Sequence, residues 1–234
     1  MKVVSSAIEW AYQHEVASGL IPTQRSLLRR ELKGMTSAIE LGCGEGTIVP
    51  HLVSGPCIGV ERHAPSVDRA RAIALYEQVI EEDALKVNFD EKSVDVVVLI
   101  ELIEHLEPSE GEDLLRRAGS WARKKVIITT PNGFLPQGEI HGNPWQVHRS
   151  GWTIDNFQLH GMRVYGLAGY RCLHKVNEGD PTDGTTKFAA TIRSPWWFTL
   201  PLSAISQIYT SRHPALAFEL LAVWDQTNGL SDNH

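Results

Sequence analysis

The most constraining feature of this chain is the run Val94-Asp-Val-Val-Val-Leu-Ile100, bounded by charged and turn-forming residues. A nearly continuous apolar run this short reads as a strand buried on both faces. Such a strand needs neighbours beside it and covering layers above and below. Shorter runs recur at Ala38–Leu41, Cys57–Val60, Gln78–Ile80 and Val126–Thr130. Helical patterns separate them. Gly46–Val53 can open a helix, Pro65 suits the first turn of one running through Arg71 and Ala74, and Glu110–Trp121 turns Leu114, Leu115 and Ala118 inward. This alternation predicts an α/β fold, a parallel sheet with helices on both faces. Ligands of such sheets gather beyond the carboxyl ends of the strands. Those ends are Gly42, Glu61, Asp83, Glu101 and Pro131, so the chemically suggestive residues of the first half fall on one edge.

A chain of 234 residues with 42% hydrophobic residues is long enough for one domain with a real core. Disordered and collagen-like classes are excluded. The net charge of −6 argues against a strongly basic nucleic-acid binder. Cys43, Cys57 and Cys172 form neither a disulfide framework nor a C-x-x-C zinc pair. Glu9 and Glu15 interrupt the N-terminus, so no signal peptide is expected, and the prolines in the uncharged stretch from Pro195 argue against a spanning helix. The resulting expectation is a reduced, cytoplasmic protein.

The flanks are less regular. Ala7, Ile8, Tyr12 and Val16 suggest an N-terminal helix, and Leu27, Leu28 and Leu32 another before Gly34. After Pro131 a loop is predicted to about Trp152, then a short helix at Thr153–His160 with Thr153 as N-cap, and a strand at Arg163–Leu173. His174–Ser194 reads as a loop or flap, Thr199–Tyr209 as a short helix, Ala215–Trp224 as a last strand and Gln226–His234 as a frayed end.

Gly42, Gly44 and Gly46 follow the first strand and remove side chains where a ligand must approach the backbone. Thr47 stands where a dinucleotide fingerprint wants glycine, and the Gly-Lys-Ser/Thr of a P-loop is absent. The loop therefore suits a nucleoside-like ligand without a pyrophosphate. Glu61 at the end of the next strand can accept from two ribose hydroxyls. Asp83 after the third can accept from an adenine amino group.

Taken together, Glu40-Leu-Gly-Cys-Gly-Glu-Gly46, Val60-Glu61, Glu82-Asp83-Ala84 and Ser93–Glu101 resemble the class I S-adenosylmethionine-dependent methyltransferases over about residues 36–173. The resemblance implies a Rossmann-like, doubly wound, seven-stranded sheet, mostly parallel, with Ala215–Trp224 as an antiparallel last strand. It implies S-adenosyl-L-methionine as cofactor. Gly42, Gly44 and Gly46 would lie against its methionine part, Glu61 at the ribose, and Asp83 and Ala84 at the adenine. Glu101 and Leu102 would flank the site, and Glu40 and Arg62 complete the cofactor set. One methyltransferase domain is expected over 1–234, with N-terminal helices at 1–35, a cofactor-binding core at 36–173, and a flap with the last strand at 174–225. The fourth strand ends in Ile100-Glu-Leu-Ile-Glu-His105 rather than Asn/Asp-Pro-Pro-Tyr, which speaks against a DNA base amino-methyltransferase.

Methyl transfer from a sulfonium is an in-line displacement that depends mostly on positioning, and a hydroxyl acceptor usually also needs a base. His105, His141 and His148 are the candidates, the last two in the loop after the fifth strand. The favoured reading is transfer to a hydroxyl of a small-molecule, sugar or natural-product acceptor, with no metal assigned, nucleic acid disfavoured and a homodimer open. Glu101, Glu104, His105 and His148 also form a set suited to a divalent ion. This looks like the small-RNA 3′-terminal 2′-O-methyltransferases, with their Glu-x-x-Glu-His motif and later histidine, and supplies the first alternative. The second is a non-catalytic protein of the same fold. Trp145, Trp152, Trp196 and Trp197 can line an acceptor pocket, although Trp152 reads better as a plug at the sheet's flank. Trp196, Trp197 and Phe198 can be a lid, a dimer contact or a membrane-surface anchor. The last is weakest, since no lysine-rich polar face accompanies them.

Overall fold

The apolar runs become strands with small changes of boundary. In a computed structural model that describes residues 21–140, 142–176 and 190–226, the strands are β1 (Ala38–Leu41), β2 (Cys57–Glu61), β3 (Gln78–Glu81), β4 (Val94–Ile100), β5 (Ala122–Pro131), β6 (Arg163–Tyr170), β7 (His174–Val176), β8 (Ala190–Ile192) and β9 (Ala217–Asp225). The helices are α1 (Gln24–Glu31), α2 (Val49–Leu52), α3 (Ala64–Ile73), α4 (Pro108–Trp121), α5 (Ile154–Leu159) and α6 (Trp196–Thr210). The expected helix around Ala7–Val16 lies outside the described residues, as does the expected frayed end beyond 226.

Seven strands form one sheet in the order β3-β2-β1-β4-β5-β9-β6. The first five run parallel, and β9 inserts antiparallel between β5 and β6. This is the expected doubly wound sheet with its antiparallel last strand. The central strand shows why the pattern in β4 was so constraining. Val97 and Leu99 enter the core beneath α4 and α5, whereas Val96, Val98 and Ile100 face α1 and α3. Its one acid, Asp95, sits near the amino end of the strand, at the edge of the sheet opposite the carboxyl ends. There it accepts from Thr36, Arg123 and Lys124 at 2.8–3.0 Å, which is how an acid survives in a buried strand.

Several local expectations are revised. The helix expected from Gly46 shrinks to α2, because Thr47 is held in the preceding turn: its hydroxyl donates to Glu40 and accepts from the Val49 N–H. β5 starts at Ala122, directly after α4, and so exceeds its apolar run. The flap at His174–Ser194 instead contains the antiparallel pair β7 and β8. Trp152 is the plug: it is buried, stacks on Phe157, and occupies space that a side chain at Gly111 of α4 would invade. Among the described residues no helix is long and apolar enough to cross a membrane.

Candidate active site at the carboxyl edge of the sheet

The turn after β1 has Gly42, Gly44 and Gly46 in the left-handed region at φ 68°, 54° and 113°, where a side chain would be strained. Two of them have different further reasons to be glycine. A Cβ on Gly42 would stand 2.8 Å from Leu102 Cδ1, so the turn and the end of β4 touch. A Cβ on Gly44 would meet nothing within 4 Å, so the backbone there borders open space. Glu40 is not on the cleft wall, contrary to its place in the expected cofactor set. Its carboxylate is turned under the turn, where it accepts from the Thr47 hydroxyl at 2.7 and 2.9 Å and from the Tyr76 hydroxyl at 2.8 Å. Burial raises it to about 7 despite these bonds. Tyr76 also accepts from the Thr47 N–H at 3.1 Å. Tyr76 and Glu40 thus anchor the turn from below, and no apolar run pointed to Tyr76.

A cleft beside this turn is walled by Gly42, Gly44, Glu61, Arg62, Asp83 and Ala84 on one side. Glu101, Leu102, His105, Trp145 and Arg149 close the other. The side chain of Glu61 bridges the turn to the start of α3, accepting from Gly44 N–H at 3.0 Å and His63 N–H at 2.8 Å. Arg62 pairs with Asp83 at 3.3 Å, and its guanidinium lies 3.3 Å from the centre of the Trp145 ring. That cation–π contact draws the loop after β5 over the cleft. Gly46 is at the base of the turn, against Ile73 and Tyr76, and not on the cleft wall. A larger groove, about 750 Å³, runs between α4 and α5 beside Trp224, with Glu112 and His160 paired in it. It lies away from the strand ends.

The other wall gathers titratable groups from separate parts of the chain. Glu101 ends β4 with φ 48°, a left-handed conformation unusual for a side-chain-bearing residue. Glu104 and His105 follow in a single 3-10 turn, Ile103–His105, fixed by fully buried Ile103. The loop after β5 returns here because Arg149 and Ser150 donate their N–H groups to the Glu104 carbonyl at 2.8 and 3.1 Å. That return brings His148 beside His105, with ring centres 4.8 Å apart. One ligand atom each from Glu104, His105 and His148 lies within 4.8 Å of the others. His141 lies outside the described residues.

The electrostatics of this cluster are unusual. The adjoining carboxyls of Glu101 and Glu104 each keep one oxygen, Oε1, sealed from solvent with no hydrogen-bond partner among the described residues. Leaving such oxygens unpaired is costly. Burial, then the neighbouring Glu104, pushes Glu101 well above the ordinary carboxyl value. Burial raises Glu104 to about 7, against the bond it accepts from Thr130. Glu219, in the middle of the apolar β9, is raised to about 8 by burial and by Glu101. An acid interrupting a buried apolar strand is a readable signal, and the sequence reading missed it. Burial lowers His105, and burial together with His105 lowers His148 to about 4. Each imidazole has its Nδ1 against a backbone carbonyl, that of Val147 at 3.2 Å and of Leu135 at 2.7 Å. A proton on Nδ1 leaves Nε2 as a lone-pair donor, the tautomer used by metal-ligating histidines. Neutral imidazoles with unpaired carboxylate oxygens form a donor set that fits a divalent cation. Such an ion would return the carboxylates to their charged form.

Comparison with known proteins agrees with the fold. Residues 39–127 match the family model described as a methyltransferase domain. A small RNA 2′-O-methyltransferase of Tetrahymena thermophila is 29% identical over 104 residues, 41% of this chain and 24% of that protein. The matched segment thus spans about a quarter of the length of that curated relative. Among solved structures, a SAM-dependent methyltransferase from Archaeoglobus fulgidus superposes with a TM-score of 0.51 at 16% identity, covering 88% of this chain and 96% of that one. The small RNA methyltransferase HEN1 superposes with a TM-score of 0.50 at 16% identity, covering 87% of this chain and 25% of that one.

Proposed function

We propose, from the premise that this chain belongs to the class I S-adenosylmethionine-dependent methyltransferases, that it methylates a sugar-type hydroxyl with the help of a divalent cation. S-adenosylmethionine is its cofactor and methyl transfer its chemistry. The observation that carries the finer reading is the pair of sealed, unpartnered carboxylate oxygens on Glu101 and Glu104 beside two neutral imidazoles. We assign Glu101, Glu104, His105 and His148 as the cation's ligands, in place of histidines acting as free bases. When bound, the ion would act as a Lewis acid on the acceptor hydroxyl.

The rest of the cleft orients the donor. The turn at Gly42 and Gly44 leaves room for the methionine part, supported by the open space at Gly44. Glu61 keeps lone pairs for the ribose hydroxyls beyond its two backbone bonds. Asp83 and Ala84 border the adenine, and Arg62 with Trp145 closes the loop over it. Leu102, packed under Gly42, sets the distance between the two walls. In the reaction the acceptor oxygen bonds to the methyl carbon as the carbon–sulfur bond breaks. The sulfonium leaves as a neutral thioether, and the hydroxyl's proton passes to solvent water. The protein's contribution is to hold oxygen, carbon and sulfur in line.

One observation favours a narrower acceptor, the 3′-terminal ribose of an RNA: the Tetrahymena relative is a small RNA 2′-O-methyltransferase. It weakens the expectation, drawn from the net charge of −6, that nucleic acid is not a partner.

A methyl-transfer assay with labelled cofactor tests both levels. Sugar acceptors and RNA ending in a free 2′,3′-diol are offered, with and without chelator. Chelation is expected to abolish transfer while leaving S-adenosylhomocysteine binding intact, and added Mn²⁺ or Mg²⁺ to restore it. Full activity in chelator would reject the cation and return His105 and His148 to the role of free bases. Periodate-oxidised RNA separates the two acceptor readings, since it lacks the diol.

A further inference from the structure

Helix α6 is inside out. Its buried positions are Thr199, Ser203, Ser206, Gln207 and Thr210, all polar. Its exposed positions are Pro201 and six large apolar or aromatic residues, Trp197, Phe198, Leu202, Ile205, Ile208 and Tyr209, with Trp197 65% and Ile205 63% exposed. A surface helix in water has the opposite arrangement.

The inward half of this reversal has a structural cause. The pairing of β6 with β9 breaks between Leu167 and Tyr170, where Ala168 and Gly169 take φ of 61° and 72°. Backbone groups freed there must find other partners. They find them on α6. Gln207 accepts from Gly169 N–H at 2.7 Å and Ser206 from Tyr170 N–H at 3.0 Å, while Ser203 donates to the Ala168 carbonyl at 2.9 Å. The helix also lies so close to β6 that a side chain at Gly166 or Gly169 would collide with its backbone. None of this dictates the outward half. Lysine or glutamate at those six positions would leave every one of these bonds intact. A continuous exposed apolar stripe therefore marks a contact surface.

The charges around the stripe identify its occupant. From Ala190 to Phe218 the chain has Arg193 and Arg212 as its charged residues, with His213, and no carboxylate, in a protein of net charge −6. The two arginines are exposed and flank the two ends of α6. A two-fold pairing of two copies through this helix would set arginine against arginine at both ends, whichever way the helices ran. An anionic surface would meet both favourably. Trp197 and Phe198 at one end and Tyr209 at the other, with aliphatic residues between, suit the headgroup level of a bilayer. We propose that the outer face of α6 docks on an anionic lipid surface, lying in the interface without crossing it. After α6 the chain passes through a separate 3-10 turn, Pro214–Leu216, into β9, and Asn132 just after β5 donates to the carbonyls of Pro214 and Ala217. This ties the docking face to the edge of the sheet where the cleft opens.

The test is co-sedimentation of the full chain with vesicles of phosphatidylcholine, alone or mixed with phosphatidylglycerol. Binding is expected on the mixed vesicles and should weaken with salt. The double variant Trp197→Ser/Ile205→Ser should lose about tenfold or more of that binding. Arg193→Gln/Arg212→Gln should erase the preference for mixed vesicles. Unchanged S-adenosylhomocysteine affinity in both variants would show that the fold is intact. Failure of the full chain to sediment with either vesicle, or unaltered binding by Trp197→Ser/Ile205→Ser, would overturn the proposal. So would a stable dimer by light scattering that the same double variant converts to monomer, which would assign the face to a second copy.

Discussion

The two walls of the cleft are built on different principles. The wall we propose for the donor is local: a strand end, a glycine turn and the acids that close the next two strands, all between Glu40 and Ala84. Its polar groups are satisfied, with Glu61 bonded to two backbone N–H groups and Asp83 paired with Arg62. The wall we propose for the acceptor has Glu101 and His105 facing the cleft, Glu104 and His148 beside them, and Glu219 of the last strand near enough to feel the charge of Glu101, and two of its carboxylate oxygens have no partner among the described residues. A satisfied wall is ready to receive a ligand of fixed shape. An unsatisfied one is incomplete until something positive enters it.

That contrast can be broken by substitution. Glu104→Gln keeps the shape of the acceptor wall but removes a charged ligand. Turnover is expected to fall by about 10²–10⁴, the range for loss of an essential group at a reacting centre, with S-adenosylhomocysteine affinity unchanged. Equal loss of cofactor affinity would mean that the two walls are not separate. Glu61→Ala should act the other way. Cofactor binding should weaken by about 1.5–3 kcal/mol, the worth of a charge-assisted hydrogen bond, with turnover at saturating cofactor retained. Calorimetry and initial rates measure both.

The smallest effect is on stability. Glu40 and Glu104 are raised to about 7 and Glu219 to about 8 from an ordinary 4.5. Each holds its proton more tightly when folded, so its contribution is full below about 4.5 and is lost as pH rises through its folded value. His148, lowered to about 4, works in the opposite direction, but only between about 4 and 6.5. Three carboxyls outweigh one imidazole, so the metal-free protein should lose stability as pH rises from about 4.5 to 8, most steeply once His148 no longer opposes the loss near 6.5, as urea denaturation would show. Glu219→Gln should flatten that slope, and an unchanged slope would remove Glu219 from the account.

The donor wall was legible in the sequence because each part follows a strand end. β1, β2 and β3 could be placed from apolar runs, and Gly42, Gly44, Glu61 and Asp83 came with them. Glu40 misled because position in a motif does not reveal which way a strand residue faces, and here it faces Tyr76. The acceptor wall was half legible. Glu101, Glu104 and His105 are adjacent in the chain, but the arrival of His148 depends on backbone bonds to the Glu104 carbonyl that no spacing encodes. The reversed polarity of α6 was hidden for a related reason. A helical pattern shows two faces, and the irregularity in β6 decides which one turns inward.

The central claim is that the acceptor wall is a cation site. Titration calorimetry of Mn²⁺ into metal-free protein tests it directly, with His148→Ala as the companion variant. The account predicts one Mn²⁺ bound per chain, with proton release near pH 7 and binding lost in His148→Ala. No binding by the native protein, or equal binding by His148→Ala, would contradict it.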